Sequence, residues 1–306
     1  MMEYKNILVM VDPTKEDQPS LKRAVFLARS YGAKISVILC VYDLSYEMTS
    51  MLSQEERDSM REVVLSQHQQ WLDDVIADYS DVPMETTVAW HNRPFEAAIK
   101  QVLNNNHDLL VKTTHSHDKL KSVIFTPTDW HLLRKSPCDV LLVKDHDWPV
   151  NGTIATAVNA VSEDSDHINL NNKVLQHAVD MSKVINANVK VINAYPGTPV
   201  NIAIEIPEFN SNEYNDSVKT HHDEKTKALA AKFEIDACDC IVEEGLAEDV
   251  IPRISHELDA ELVIIGTIGR TGFSAAFIGN TAEHVIDGID CDLLAVKPDG
   301  FECPVA

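Results

Sequence analysis

Three glycines hold the spacing with the clearest chemistry. Gly266-Thr267-Ile268-Gly269 follows the apolar run Leu262-Val263-Ile264-Ile265, and Gly279-Asn280 comes a short stretch later. A buried strand that empties into glycines and then a helix start is a phosphate-holding device. Glycine lets backbone N–H groups approach an anion closely, and the helix N-terminus adds a favourable partial charge. The matching stretch earlier in the chain, Leu109-Leu110-Val111-Lys112-Thr113-Thr114-His115, has no glycine.

Other chemistry-bearing residues do not gather in this way. No nucleophile–base pair, Walker-type lysine loop or metal-binding carboxylate cluster stands out, so no catalytic residue is assigned. Asp12, His115 and Asp129 read as scattered surface or capping residues. Cys238-Asp239-Cys240 is spaced too closely for a zinc knuckle and reads as two small contacts on one strand face. His115-Ser116-His117-Asp118 and His221-His222-Asp223 read as solvated surface, and no metal site is expected.

The elements that must position the glycines occur twice. Asn6 to Asp12 is repeated by Thr153 to Asn159, and Ile35 to Tyr42 by Val189 to Tyr195. Asp108 to Lys112 answers to Glu261 to Gly266, and Asp139 to Lys144 is nearly the same as Asp292 to Lys297. The offset stays near half the chain, so a domain-sized internal repeat sets the architecture. Lys112 and His115 are read as standing in the places of Gly266 and Gly269, with the phosphate device kept only in the second half.

Each half reads as strand and helix in alternation, ending on a fifth strand. Runs rich in Val and Ile without polar alternation indicate strands buried on both faces of a parallel sheet. In the first half, helices are expected from Pro19, from the Ser53-Gln54-Glu55-Glu56 capping box, over Pro94 to Leu103, and around Thr128 to Leu133. In the second of these helices, Met60, Val63, Val64, Trp71, Val75 and Tyr79 form the expected inward face. The second half has helices expected near Leu170 to Ile185, Asp216 to Phe233, Ala247 to Leu258 and Thr281 to Ile286. The polar connector Asp145 to Gly152 marks the boundary, giving domains of residues 1–148 and 149–306. The fold class is therefore α/β, with two tandem open doubly wound parallel sheets of Rossmann-like type. Their near-identical fifth strands are expected to meet within the chain as a pseudo-two-fold pair, which leaves a homodimer open. In such sheets ligands bind beyond the carboxyl ends of the strands, at Asp12, Tyr42 and Lys112 or at Asn159, Tyr195 and Gly266.

Composition excludes several classes. The chain has 306 residues and a formal net charge of -22. That charge opposes nucleic acid and anionic membrane partners, which reward clustered Lys and Arg. No signal-like N-terminus and no membrane-length apolar run is visible, so a cytoplasmic location is expected. The six cysteines are scattered.

Gly266, Gly269 and Gly279 fit the pattern G-x2-G-x9-G-[ST], with Asn280 in the final place and Thr281 after it. The pattern resembles the ATP-binding signature of the universal stress protein family. The chain as a whole resembles the tandem members of that family, most closely an enterobacterial type. Trp90 to Glu96, Phe125 to Arg134, Asn201 to Glu205 and Gly266 to Gly272 carry the closer likeness.

The resemblance implies ATP or a related nucleotide as ligand. It places the adenine contact on Asn159, the backbone contact to the base on Ala194, and ribose and phosphates on Gly266, Gly269, Gly279 and Asn280. Asn159 replaces the usual Asp, yet its amide oxygen can accept from an adenine amino group, and the Asn280 amide can donate to a phosphate oxygen. The first half keeps Asp12 and, on the second strand, Val41. Three readings stand: nucleotide binding that alters contacts with unidentified protein partners, a weak ATPase, or an interaction module. The last would take an amphipathic non-nucleotide metabolite against the segment Pro199 to Phe209, whose Val200, Ile202, Ile204 and Ile206 alternate.

Overall fold

The computed structural model describes residues 3–45, 52–116, 123–124, 126–197, 210–267 and 280–305. The chain divides into two units. One takes Glu3–Thr114, Phe125–Asp145 and Cys303–Ala306; the other is built chiefly from His146–Glu302.

The first unit runs β1 (Asn6–Met10), α1 (Pro19–Tyr31), β2 (Lys34–Val41), α2 (Gln54–Ile76), β3 (Met84–Trp90), α3 (Pro94–Asn105), β4 (Leu109–Thr113), α4 (Pro127–Lys135) and β5 (Asp139–Val143). Its strands lie in the order β5-β4-β1-β2-β3, all parallel. Every residue of β1 and β5 is buried, as their unbroken apolar runs require. Proline opens α1, α3 and α4, where its missing N–H costs no helical hydrogen bond. The Ser53 capping box is present at the start of α2, and Thr126 with Asp129 builds a second at α4.

The second unit repeats the plan: β6 (Thr153–Ala157), α5 (Ser165–Ile185), β7 (Asn188–Tyr195), α6 (Ser211–Ala231), β8 (Cys240–Glu244), α7 (Ala247–Glu257), β9 (Ala260–Gly266), α8 (Asn280–Gly288) and β10 (Asp292–Val296). Its order is β10-β9-β6-β7-β8, again all parallel. The strand order reverses between β1 and β4 in one unit and between β6 and β9 in the other. These are the switch points at which a doubly wound sheet opens a crevice. A two-residue antiparallel pair, His115–Ser116 with Val123–Ile124, stands outside the ten parallel strands.

The expected inward face of α2 needs correction. Met60 and Val63 are exposed, Val64, Trp71, Val75 and Tyr79 are partly covered, and Leu72 is the buried side chain. The helix packs on β3 and β2 at the outer side of the sheet, so only part of its length has apolar surface to lie against. Two second-unit helices begin earlier than their apolar spacing suggests. Asp164 caps α5 by accepting from the N–H groups of Asp166 and His167, and Asn210 caps α6 by accepting from Glu213 N. Among the described residues, no helix is long and apolar enough to cross a membrane.

Candidate functional site

The carboxyl ends of β6, β7 and β9 bring three of the six candidate residues to one edge of the second unit's sheet. Asn159 comes two residues after β6 and its side chain is exposed. Its backbone is pinned from α5, where Asn171 Nδ2 donates to the Asn159 carbonyl at 2.8 Å and Oδ1 accepts from its N–H at 3.2 Å. The first unit uses the same brace with a different residue. Gln18 Oε1 accepts from the Asp12 N–H at 3.0 Å, and Nε2 donates to its carbonyl at 2.7 Å. The residue after the first strand is thus held by its main chain in both units. The Asp12 carboxylate is engaged locally, accepting from Thr14 N and Oγ1, so it turns back on its own loop. No sequence motif announces the braces.

Ala194 lies near the end of β7, paired in register with Glu243 of β8. Val158 N donates to Ile192 O on one side of β7, and Gly245 N donates to Tyr195 O on the other. Alternation along a parallel strand then turns the Ala194 N–H and C=O toward β6, which has already ended. The backbone of Ala194 therefore faces the crevice, as a contact to a planar base requires. The same ladder corrects its counterpart in the first unit. Val11 N bonds Ile38 O and His91 N bonds Val41 O, so Cys40, not Val41, holds the equivalent place. Burial pushes the Cys40 thiol up to about 12.

Gly266 ends β9 opposite Val296 of β10. A Cβ there would collide with Leu170 of α5, meeting Cδ2 and, at 2.7 Å, Cγ. The glycine is therefore demanded by helix–sheet packing within the unit, a reason independent of any anion. Gly269 and Gly279 lie outside the described residues, as does the segment Pro199 to Phe209. Asn280 is the first residue of α8, which places its backbone at that helix's N-terminus.

The register also overturns the alignment of Lys112 with Gly266. Thr113 pairs with Val143 as Gly266 pairs with Val296, and Thr114 and Thr267 then donate their N–H and hydroxyl groups to those same valine carbonyls. Thr113 thus stands in the place of Gly266, and its hydroxyl accepts from Ser20 N at 2.9 Å. Spacing agrees with the ladder: Asp108 to Glu261 and Asp139 to Asp292 share one offset, which carries Thr113, not Lys112, to Gly266. Lys112 points elsewhere: its Nζ lies 2.7 Å from Asp129 Oδ1 in a largely buried ion pair. Asp129, read from sequence as a scattered singleton, is fully buried at the start of α4.

His222 departs from the expected solvated histidines. It is half-buried, with Nδ1 2.9 Å from Oδ1 of the fully buried Asn193 and its ring 5.2 Å from that of Tyr195. Burial, and then the neighbouring His221, pushes its pKa below the usual histidine range. Asp236, Cys238 and Asp239 offer donor atoms within 4.8 Å of one another. Lys190 Nζ already sits 2.6 Å from Asp239 Oδ1, so part of that charge is answered by the protein. Carboxylates dominate the outer side of the crevice. Glu243 and Glu244 end β8, and Glu213, Asp216 and Glu224 stand on the exposed face of α6. Like charges make that side unfavourable for an anion.

The family model described as "Universal stress protein family" matches residues 3–144 and 166–297, once in each repeat. The chain belongs to the universal stress protein family. It is 49% identical over 308 residues to Universal stress protein E of Escherichia coli (strain K12), covering 100% of this chain and 98% of that one. It is 42% identical over 304 residues to the Universal stress protein E homolog of Haemophilus influenzae, covering 97% and 98%. Among solved structures, a universal stress protein from Pseudomonas aeruginosa UCBPP-PA14 aligns with a TM-score of 0.77 and 28% identity, over 97% of this chain and 95% of that chain. The tandem arrangement is thus that of full-length relatives, and the two sheets are two universal stress protein domains.

Proposed function

We propose that this chain is a stress-response protein that binds ATP or a related phosphate-bearing ligand in its second unit and acts through contacts with other proteins. The observation that carries this reading is the set of backbone and side-chain groups at the ends of β6, β7 and β9. Asn159 presents an exposed amide on a pinned main chain, and Ala194 turns its peptide groups to the same crevice. The N-terminus of α8 supplies N–H donors beyond β9, with Gly279 just before it in sequence. The base then lies between Asn159 and Ala194, and the phosphates on the side away from Glu243 and Glu244. Family membership supports a stress role; the nucleotide rests on the glycine pattern and on this geometry.

Calorimetry with ATP, AMP and pyrophosphate tests the reading. Binding of ATP that weakens in Asn159→Ala and is lost in Gly269→Val is the expected result. Equal binding by both variants and the wild type would remove the nucleotide from this crevice.

A further inference from the structure

The two units differ at the helix that precedes the fifth strand, and the difference is coordinated. Helices α4 and α8 each have nine residues and begin the same number of residues before β5 and β10. On that register Thr126, Asp129 and Lys112 correspond to Gly279, Ala282 and Ile265. The second unit lacks the hydroxyl, the carboxylate and the ammonium group together.

In the first unit these three groups form one structure. Asp129 Oδ2 accepts from Thr126 N at 2.7 Å and from Thr126 Oγ1 at 2.9 Å, while Lys112 Nζ lies 2.7 Å from Oδ1. A fully buried carboxylate is costly unless paired and hydrogen-bonded, and this one has both an ammonium partner and a helix N-terminus. Peptide N–H, hydroxyl and lysine converging on an anion at the start of a helix is also the chemistry of a bound phosphate.

We infer that the first unit is closed by an internal anion: the Asp129 carboxylate fills the place at the head of α4 that a ligand's phosphate takes at the head of α8. Lys112 is the counter-charge, kept because the anion is permanent. The identity of the second unit's ligand rests on the function proposed above; the closed state of the first rests on the Asp129–Lys112–Thr126 contacts. The first unit is therefore a phosphate site carrying its own occupant, and removing the carboxylate uncovers it.

Pyrophosphate titrated against full-length wild type, Asp129→Ala and the double variant Asp129→Ala/Lys112→Met, followed by calorimetry and thermal denaturation, tests this. Asp129→Ala is expected to take up one further equivalent of pyrophosphate relative to wild type and to gain a pyrophosphate-dependent rise in Tm. The double variant is expected to lose that gain. Should Asp129→Ala fail to fold, Asp129→Ser, which keeps a hydroxyl for the Thr126 N–H, carries the same comparison. A folded variant that takes up no additional pyrophosphate overturns the inference, as does a wild type that already fills both units. The outcome is separable from the ligand proposal. A wild type that binds no ATP sinks that proposal, while a gain of one pyrophosphate in Asp129→Ala still upholds the internal anion.

Discussion

Replacing Gly266 with alanine separates the two reasons a glycine can stand at the end of β9. The added Cβ would meet Leu170 Cδ2 and Cγ, the latter at 2.7 Å, closer than real Cβ contacts come. Since Cγ is involved, the whole isobutyl group must move, and α5 holds Leu170 buried against the sheet. Overpacking of this kind costs about 1–3 kcal/mol. Alanine returns roughly 0.4–1 kcal/mol by restricting the unfolded chain. The two ranges leave a net loss of about 1.3 kcal/mol at their midpoints, with limits of about 0 and 2.6 kcal/mol. Leu170→Ala alone should cost about 2–5 kcal/mol through its cavity. The double variant lets the new methyl enter that cavity, so it should be less destabilised than the sum by about 1 kcal/mol or more. Urea denaturation of the four proteins gives each value from the midpoint at constant slope. A Gly266→Ala protein more stable than wild type, or strictly additive costs, would refute the packing argument. The glycine would then be kept for the ligand alone.

Three further outcomes follow from the same structure. Lys112→Met should destabilise by about 3–5 kcal/mol because it strands the buried Asp129 carboxylate, and Lys112→Met/Asp129→Leu should recover much of that loss in a urea titration. Burial holds the His107 imidazole below the usual histidine range, so the unfolded state takes its proton first and the stability it contributes is lost as pH falls below about 6.5. The advantage of wild type over His107→Gln should therefore shrink between neutral pH and pH about 5.5, and a gap independent of pH would contradict this. At mildly alkaline pH a soluble alkylating reagent should label the exposed Cys238 and spare the half-buried Cys40, whose thiol is held up to about 12. Equal labelling in the native protein would count against the placement of Cys40.

Much of this architecture is legible in the residues. The short apolar runs Ile7–Met10 and Leu293–Val296 fit strands covered on both faces, and Pro19, Ser53 and Pro94 announce three helix starts. Register is legible only when the offset is held strictly. Asp108 to Lys112 is one residue shorter than Glu261 to Gly266, and matching the ends of those unequal runs puts Lys112 where the constant offset and the ladder both put Thr113. Asp129 is hidden for another reason. A carboxylate after Thr126-Pro127-Thr128 looks like an ordinary capping residue until the ladder brings Lys112 beside it. The signal was available in Thr126 and Asp129 together, since that spacing is a capping box with Asp in the third position. His222 escapes for want of any local pattern: only the pairing of β7 with α6 shows that Asn193 needs it.

The two units are proposed to differ in one respect: the second keeps an open phosphate site and the first a closed one. Native mass spectrometry of the full chain, titrated with ATP, reads that asymmetry directly as the number of ligands per polypeptide. The expected spectrum saturates at one ATP per chain and shows none bound in Gly269→Val. Saturation at two, or full binding by Gly269→Val, would contradict the claim.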